Sequence, residues 1–187
     1  MRAILYILVG WVLLASVAGL GASFGLTVML PATSAVLVTH LAFSRDLSLP
    51  TGLAVAIALG YLEDLHQGTP VGALSLAHGL AFLLTVWAGT RIAVEGAIVR
   101  ALAAGVVAAV IDLLTFAEFA LLADRLGLEV RALVRALPTL RWHALATVLA
   151  APAVGLVTDL VLGTWDRLMG RSNPRPRPLA ASSWYRS

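Results

Sequence analysis

Six apolar runs, near residues 3–21, 25–43, 51–62, 71–89, 99–122 and 142–162, constrain this chain more than any motif in it. A helix needs about 20 mostly apolar residues to cross the hydrocarbon layer of a bilayer. Inside that layer every backbone N–H and C=O must find its partner within the protein. Runs of this length and number predict an all-α integral membrane protein, a six-helix transmembrane bundle. Composition agrees: 60% of the 187 residues are hydrophobic and 12% are charged, whereas a soluble domain carries about 25% charged residues. The first run reads as a retained signal-anchor helix. The third is short for a span, so it must tilt, re-enter, or continue into the acidic residues that follow it.

Charge placement gives an orientation. All thirteen basic residues are arginine. With a cytoplasmic N-terminus, Arg2, Arg45, Arg91, Arg100, Arg167, Arg171, Arg175, Arg177 and Arg186 lie inside, and Arg125, Arg131, Arg135 and Arg141 lie outside. Nine against four predicts that both termini are cytoplasmic. The net charge of +3 and pI near 10.2 then reflect arginines flanking spans, and nucleic acid is not an expected partner.

The four outer arginines share one connection, 124–141. There Val130, Leu133, Val134 and Leu137 recur at i, i+3, i+4 and i+7, with Arg131 and Arg135 one turn apart on another face. That period predicts an amphipathic helix near 126–138, lying along the outer membrane–water boundary. Residues 1–170 thus form one membrane domain. Beyond Gly170, "RSNPRPRPLAASSWYRS" is basic and proline-rich without apolar period, which predicts a disordered cytoplasmic tail over 171–187.

The densest polar stretch is "GYLEDLHQGTPVG", residues 60–72. The orientation puts Glu63, Asp64 and His66 at the outer mouth of the bundle. At about 1.5 Å per residue, His78 stands about 20 Å above the inner boundary and Asp112 about 18 Å. Ionisable groups at such depth are costly and face a bundle interior or a wet cavity. These levels predict a His78–Asp112 contact and an outward-facing polar pocket ringed by Glu63, Asp64, His66, His78, Asp112 and Glu118. Two roles stand open for Glu63 and Asp64: touching a partner, or shaping the break between helices. For His78, a core histidine bonded to a backbone carbonyl outweighs a metal or catalytic role. Asp159, near the inner end of the last run, is expected at the interface beside Arg167.

The chemistry of catalysis is missing from the sequence. With no cysteine there is no thiol nucleophile. HExxH, GxSxG and a Gly-rich loop ending in Lys are all absent. Glu63-Asp64-x-His66 has metal-capable side chains without partners at ligand spacing. The reading is therefore an interaction protein: no enzyme, no metal, no cofactor.

"GYLEDLHQGTPVGALSL" resembles the central segment of the rod shape-determining protein MreD family, in which a glycine-containing third span runs into Asp-Leu and two spaced glycines. The matching positions are Gly60, Asp64, Leu65, Gly68 and Gly72. "IDLLTFAEF", residues 111–119, is similar to that family's fifth span. The resemblance covers residues 50–122. It implies a non-enzymatic component of the bacterial elongation machinery in the cytoplasmic membrane. Such a component binds MreC directly and works with MreB, RodA and a class B penicillin-binding protein in lateral peptidoglycan synthesis and cell shape. The family is similar in fold to the substrate-binding (S) components of energy-coupling-factor transporters, which implies an outward-facing pocket. On this reading Glu63, Asp64, His66, Thr69, Pro70, His78, Asp112 and Glu118 would meet the partner at the pocket. Arg131 and Arg135 would meet it from the amphipathic helix, with membrane lipid around the bundle. The alternative is a transporter subunit holding a vitamin-like small molecule in the same pocket.

Overall fold

The computed structural model describes residues 1–25, 30–44, 46–91, 96–127 and 130–170; the side chains of 124, 126, 130–133 and 136 lie outside that description, as does the expected tail over 171–187. Every regular element among the described residues is a helix: α1 (Arg2–Phe24), α2 (Thr33–Ser44), α3 (Leu49–Gln67), α4 (Ala73–Gly89), α5 (Ala97–Leu121), the single turn α6 (Ala123–Leu126) and α7 (Val130–Leu168). Among the described residues, three segments are long and apolar enough to cross a membrane: Arg2–Phe24, Ala97–Leu121 and Leu137–Leu168.

The short helices differ most from the sequence reading. The run expected as a span over 25–43 is helical only from Thr33, with 26–29 outside the described residues. Twelve residues make a helix about 18 Å long, well short of a bilayer. Nine of the twelve are buried, and α2 packs against α1, α3, α4, α5 and α7. A helix with no separate polar face suits such a surrounded position, provided its few polar side chains find partners. In contrast, α3 is longer than its apolar run. It starts behind Ser48 with Pro50 in its first turn, passes through Glu63 and Asp64, and stops at Gly68 in the left-handed conformation (φ 67°). Of the three options for this run, continuation into the acidic residues is the observed one.

The connection 124–141 forms no separate amphipathic helix. Gly127 (φ 63°) ends α6, and from Val130 the chain enters the 39-residue α7, which continues through Pro138 and Pro152. A proline within a helix removes one N–H from the ladder, so Pro152 leaves the Val148 carbonyl without its helical donor.

Two close approaches fix the helix pairs. A Cβ placed on Gly60 would lie 2.7 Å from the Ser75 Cα and closer still to the Leu74 carbonyl, so only glycine lets α3 meet the backbone of α4. At Gly105 of α5 a Cβ would stand 3.2 Å from the Ala144 carbonyl of α7 and run into the Val148 side chain. One end of the bundle is tied by Arg2, which reaches Asp166 (2.7 Å) and Asp46 (3.4 Å). The fully buried Tyr6 donates its hydroxyl hydrogen to Asp46 at 3.3 Å. The start of α1, the α2–α3 connection and the end of α7 therefore share one end. The α3–α4 turn lies at the other.

Candidate functional site

Asp64 organises that turn. Its carboxylate is 1% exposed. It accepts hydrogen bonds from the Thr69 hydroxyl (2.6 Å), Gly72 N–H (2.9 Å) and Leu74 N–H (3.0 Å). Ser75 adds longer contacts through its N–H and hydroxyl at 3.4 Å. The first N–H groups of a helix have no partner inside the helix, and a carboxylate placed there meets both the orphan donors and the helix dipole. Asp64 thus caps α4 from the neighbouring helix. Of the two roles open for Asp64, shaping the helix break is the one its geometry fulfils.

Glu63 points the other way, into the bundle. It is 5% exposed. One carboxylate oxygen receives the Ser34 hydroxyl at 2.6 Å and stands 3.1 Å from His78 Nε2; the other receives the Gln67 amide at 2.9 Å. His78 is fully buried, with Nδ1 2.8 Å from the Leu74 carbonyl. A carbonyl only accepts, so Nδ1 carries a hydrogen. His78 is therefore the carbonyl-bonded core histidine expected from the sequence. The contact of its Nε2 with Glu63 brings the pair within ion-pair distance without an aligned hydrogen bond.

The expected His78–Asp112 contact is not formed. Asp112 pairs instead with His143 of α7, Nδ1 to Oδ2, at 2.8 Å. His143 continues the network: its carbonyl accepts from the Thr147 hydroxyl at 2.8 Å, and Thr147 Oγ1 accepts from the Ala32 N–H at 2.9 Å. The reason for the mismatch is α2. Its sunken N-terminus, residues 32–34, stands between the two halves. It presents Ser34 to Glu63 on one side and the Ala32 N–H to Thr147 on the other. The result is two carboxylate–imidazole pairs joined around the start of a buried helix.

Burial decides which expected site residues can touch a partner. Glu63, Asp64 and His78 are buried, at 5%, 1% and 0% exposure, so these three do not line a rim open to the outside. Asp112, Thr69 and Glu118 are half-buried. His66 and Pro70 are exposed on the rim, together with Leu65 and Val71, which the sequence reading passed over as site residues. Arg135 is exposed near the start of α7; the Arg131 side chain lies outside the described residues. Asp159 is not beside Arg167 but next to His40, at 3.6 Å. Ser34, His143 and Thr147 were missed as well. The available signal was His143 and Thr147, polar residues one helical turn apart within an apolar run.

Among the described residues, no group of three His, Cys, Asp or Glu side chains gathers as a metal site would. Neither family models, curated proteins nor solved structures yield a match to this chain.

Proposed function

We propose that the chain is a non-enzymatic, multi-pass component of the bacterial elongation complex in the cytoplasmic membrane. Both termini are cytoplasmic, and the rim of the α3–α4 hairpin receives the membrane-proximal part of MreC. Through MreC it works with MreB, RodA and a class B penicillin-binding protein in lateral wall synthesis. One observation carries the reading. Four of the five matching positions in this segment, Gly60, Asp64, Gly68 and Gly72, act together in this fold, and the fifth, Leu65, is exposed beside them. Gly60 admits α4, Asp64 caps it, and Gly68 and Gly72 supply the two left-handed turn positions (φ 67° and 106°). The docking surface shifts from the expected pocket to the exposed rim of His66, Pro70 and Val71, with Arg135 nearby in the sequence-derived topology.

The transporter alternative has less support, because Glu63 and His78, which would line the ligand pocket, are buried and contact each other. Photocrosslinking amino acids at His66 and Pro70, with Trp87 and Thr90 at the far end of α4 as controls, test the proposal in cells. Capture of MreC from the rim positions is expected. Capture only from the control positions, or from none, would overturn the reading.

A further inference from the structure

A cleft of about 220 Å³ opens between α2, α5 and α7, in the half of the bundle nearer Arg2 and away from the α3–α4 rim. Its origin is legible in the packing. Gly105 brings α5 tightly onto α7 at Val148 and Ala144. One turn further along α7, Pro152 interrupts the ladder, and the facing positions Ala101, Ala104, Ala151 and Gly155 are too small to close the gap. The wall is mostly apolar, but it includes three ionisable side chains, His40 of α2, Arg100 of α5 and Asp159 of α7. Asp159 has His40 as a neighbour at 3.6 Å. Arg100 has no carboxylate within ion-pair distance among the described residues.

Arg100 is exposed at the mouth of this cleft, in the first turn of a membrane helix, so its charge is open to an anion arriving from the bilayer. Its planar fork matches a phosphate, which it can hold through two parallel hydrogen bonds. Arg100 lies three residues into α5, at the end of the bundle where Arg2, Asp46 and Asp166 gather, and so at the level of lipid headgroups. The apolar part of the cleft runs deeper, towards Ala104 and Ala151. We infer that this cleft is a binding site for a phospholipid of the adjoining leaflet, with its phosphodiester on Arg100 and the upper part of an acyl chain along the small residues of α5 and α7.

The test is native mass spectrometry of the full chain, delipidated in mild detergent and titrated with phosphatidylglycerol, diacylglycerol or inorganic phosphate. Phosphatidylglycerol should bind with a one-to-one component. Arg100→Gln should weaken that component about tenfold, the scale of one lost charge-assisted contact. Gly155→Leu should abolish it; a Cβ at Gly155 meets nothing within 4 Å, so the larger side chain enters the cleft without displacing the helix. Arg91→Ala, an equal loss of charge outside the cleft, should leave it unchanged. Diacylglycerol or inorganic phosphate binding as tightly as phosphatidylglycerol would overturn the inference. So would undiminished lipid binding by folded Gly155→Leu or by Arg100→Gln.

Discussion

Replacing Asp64 by alanine removes the acceptor for three hydrogen bonds between 2.6 and 3.0 Å, from Thr69, Gly72 and Leu74. The magnitude follows from where those donors lie. Leu74 is 5% exposed, so its N–H would be left unpaired out of reach of solvent, at a cost of about 2 kcal/mol. The Thr69 hydroxyl and Gly72 N–H sit at the half-buried turn, where partial hydration limits the loss to about 1 kcal/mol each. Asp64→Ala should therefore destabilise the fold by about 4 kcal/mol. Asp64→Asn keeps one acceptor oxygen but turns an amide toward a backbone donor, and should cost about half as much. Denaturant unfolding in mixed micelles, followed by fluorescence of the five tryptophans, measures both values. A loss below about 1 kcal/mol for the alanine variant, or an asparagine variant no better than alanine, would refute the capping argument. Intact stability combined with lost partner binding would instead make Asp64 a contact residue.

Other substitutions probe separate parts of the fold. Gly60→Ala should cost about 3 kcal/mol in the same assay, because the new Cβ meets backbone on α4 that has nowhere to move. Gly19→Ala, where a Cβ meets nothing within 4 Å, should gain about 0.5–1 kcal/mol from helix propensity alone. Thr147→Val leaves the Ala32 N–H without its acceptor and should lose about 1–3 kcal/mol. A double-mutant cycle of Asp112→Asn and His143→Gln should return a coupling energy of about 1–3 kcal/mol; additivity would mean that their 2.8 Å contact stabilises nothing.

Apolar runs carried the helical membrane character of the chain, because a run's length bears directly on whether it can span. They could not reveal that α2 is short. A buried helix with a sunken N-terminus and a lipid-facing span are equally apolar, and only Thr33 and Ser34 marked the difference. The polar stretch over 60–72 was legible as a break between helices because Gly68 and Gly72 supply positive φ. Its openness was misjudged: a carboxylate at a helix end reads the same whether it faces water or caps the next helix. Depth arithmetic put His78 and Asp112 at one level, but level does not determine azimuth, and the intervening α2 sent each to a different partner. The amphipathic period over 124–141 was real as a pattern, yet Pro138 did not end the helix, so the segment became the start of α7.

The measurement closest to the proposed function is the affinity of purified MreC for this protein in lipid nanodiscs, compared with the rim variant His66→Glu/Val71→Arg. Both positions are exposed, so the unfolding midpoint should match that of the wild type. A specific complex is expected with the wild type, weakened at least about tenfold in the variant, a loss of about 1.4 kcal/mol or more. Equal affinity for both proteins, or no complex with the wild type, would contradict it.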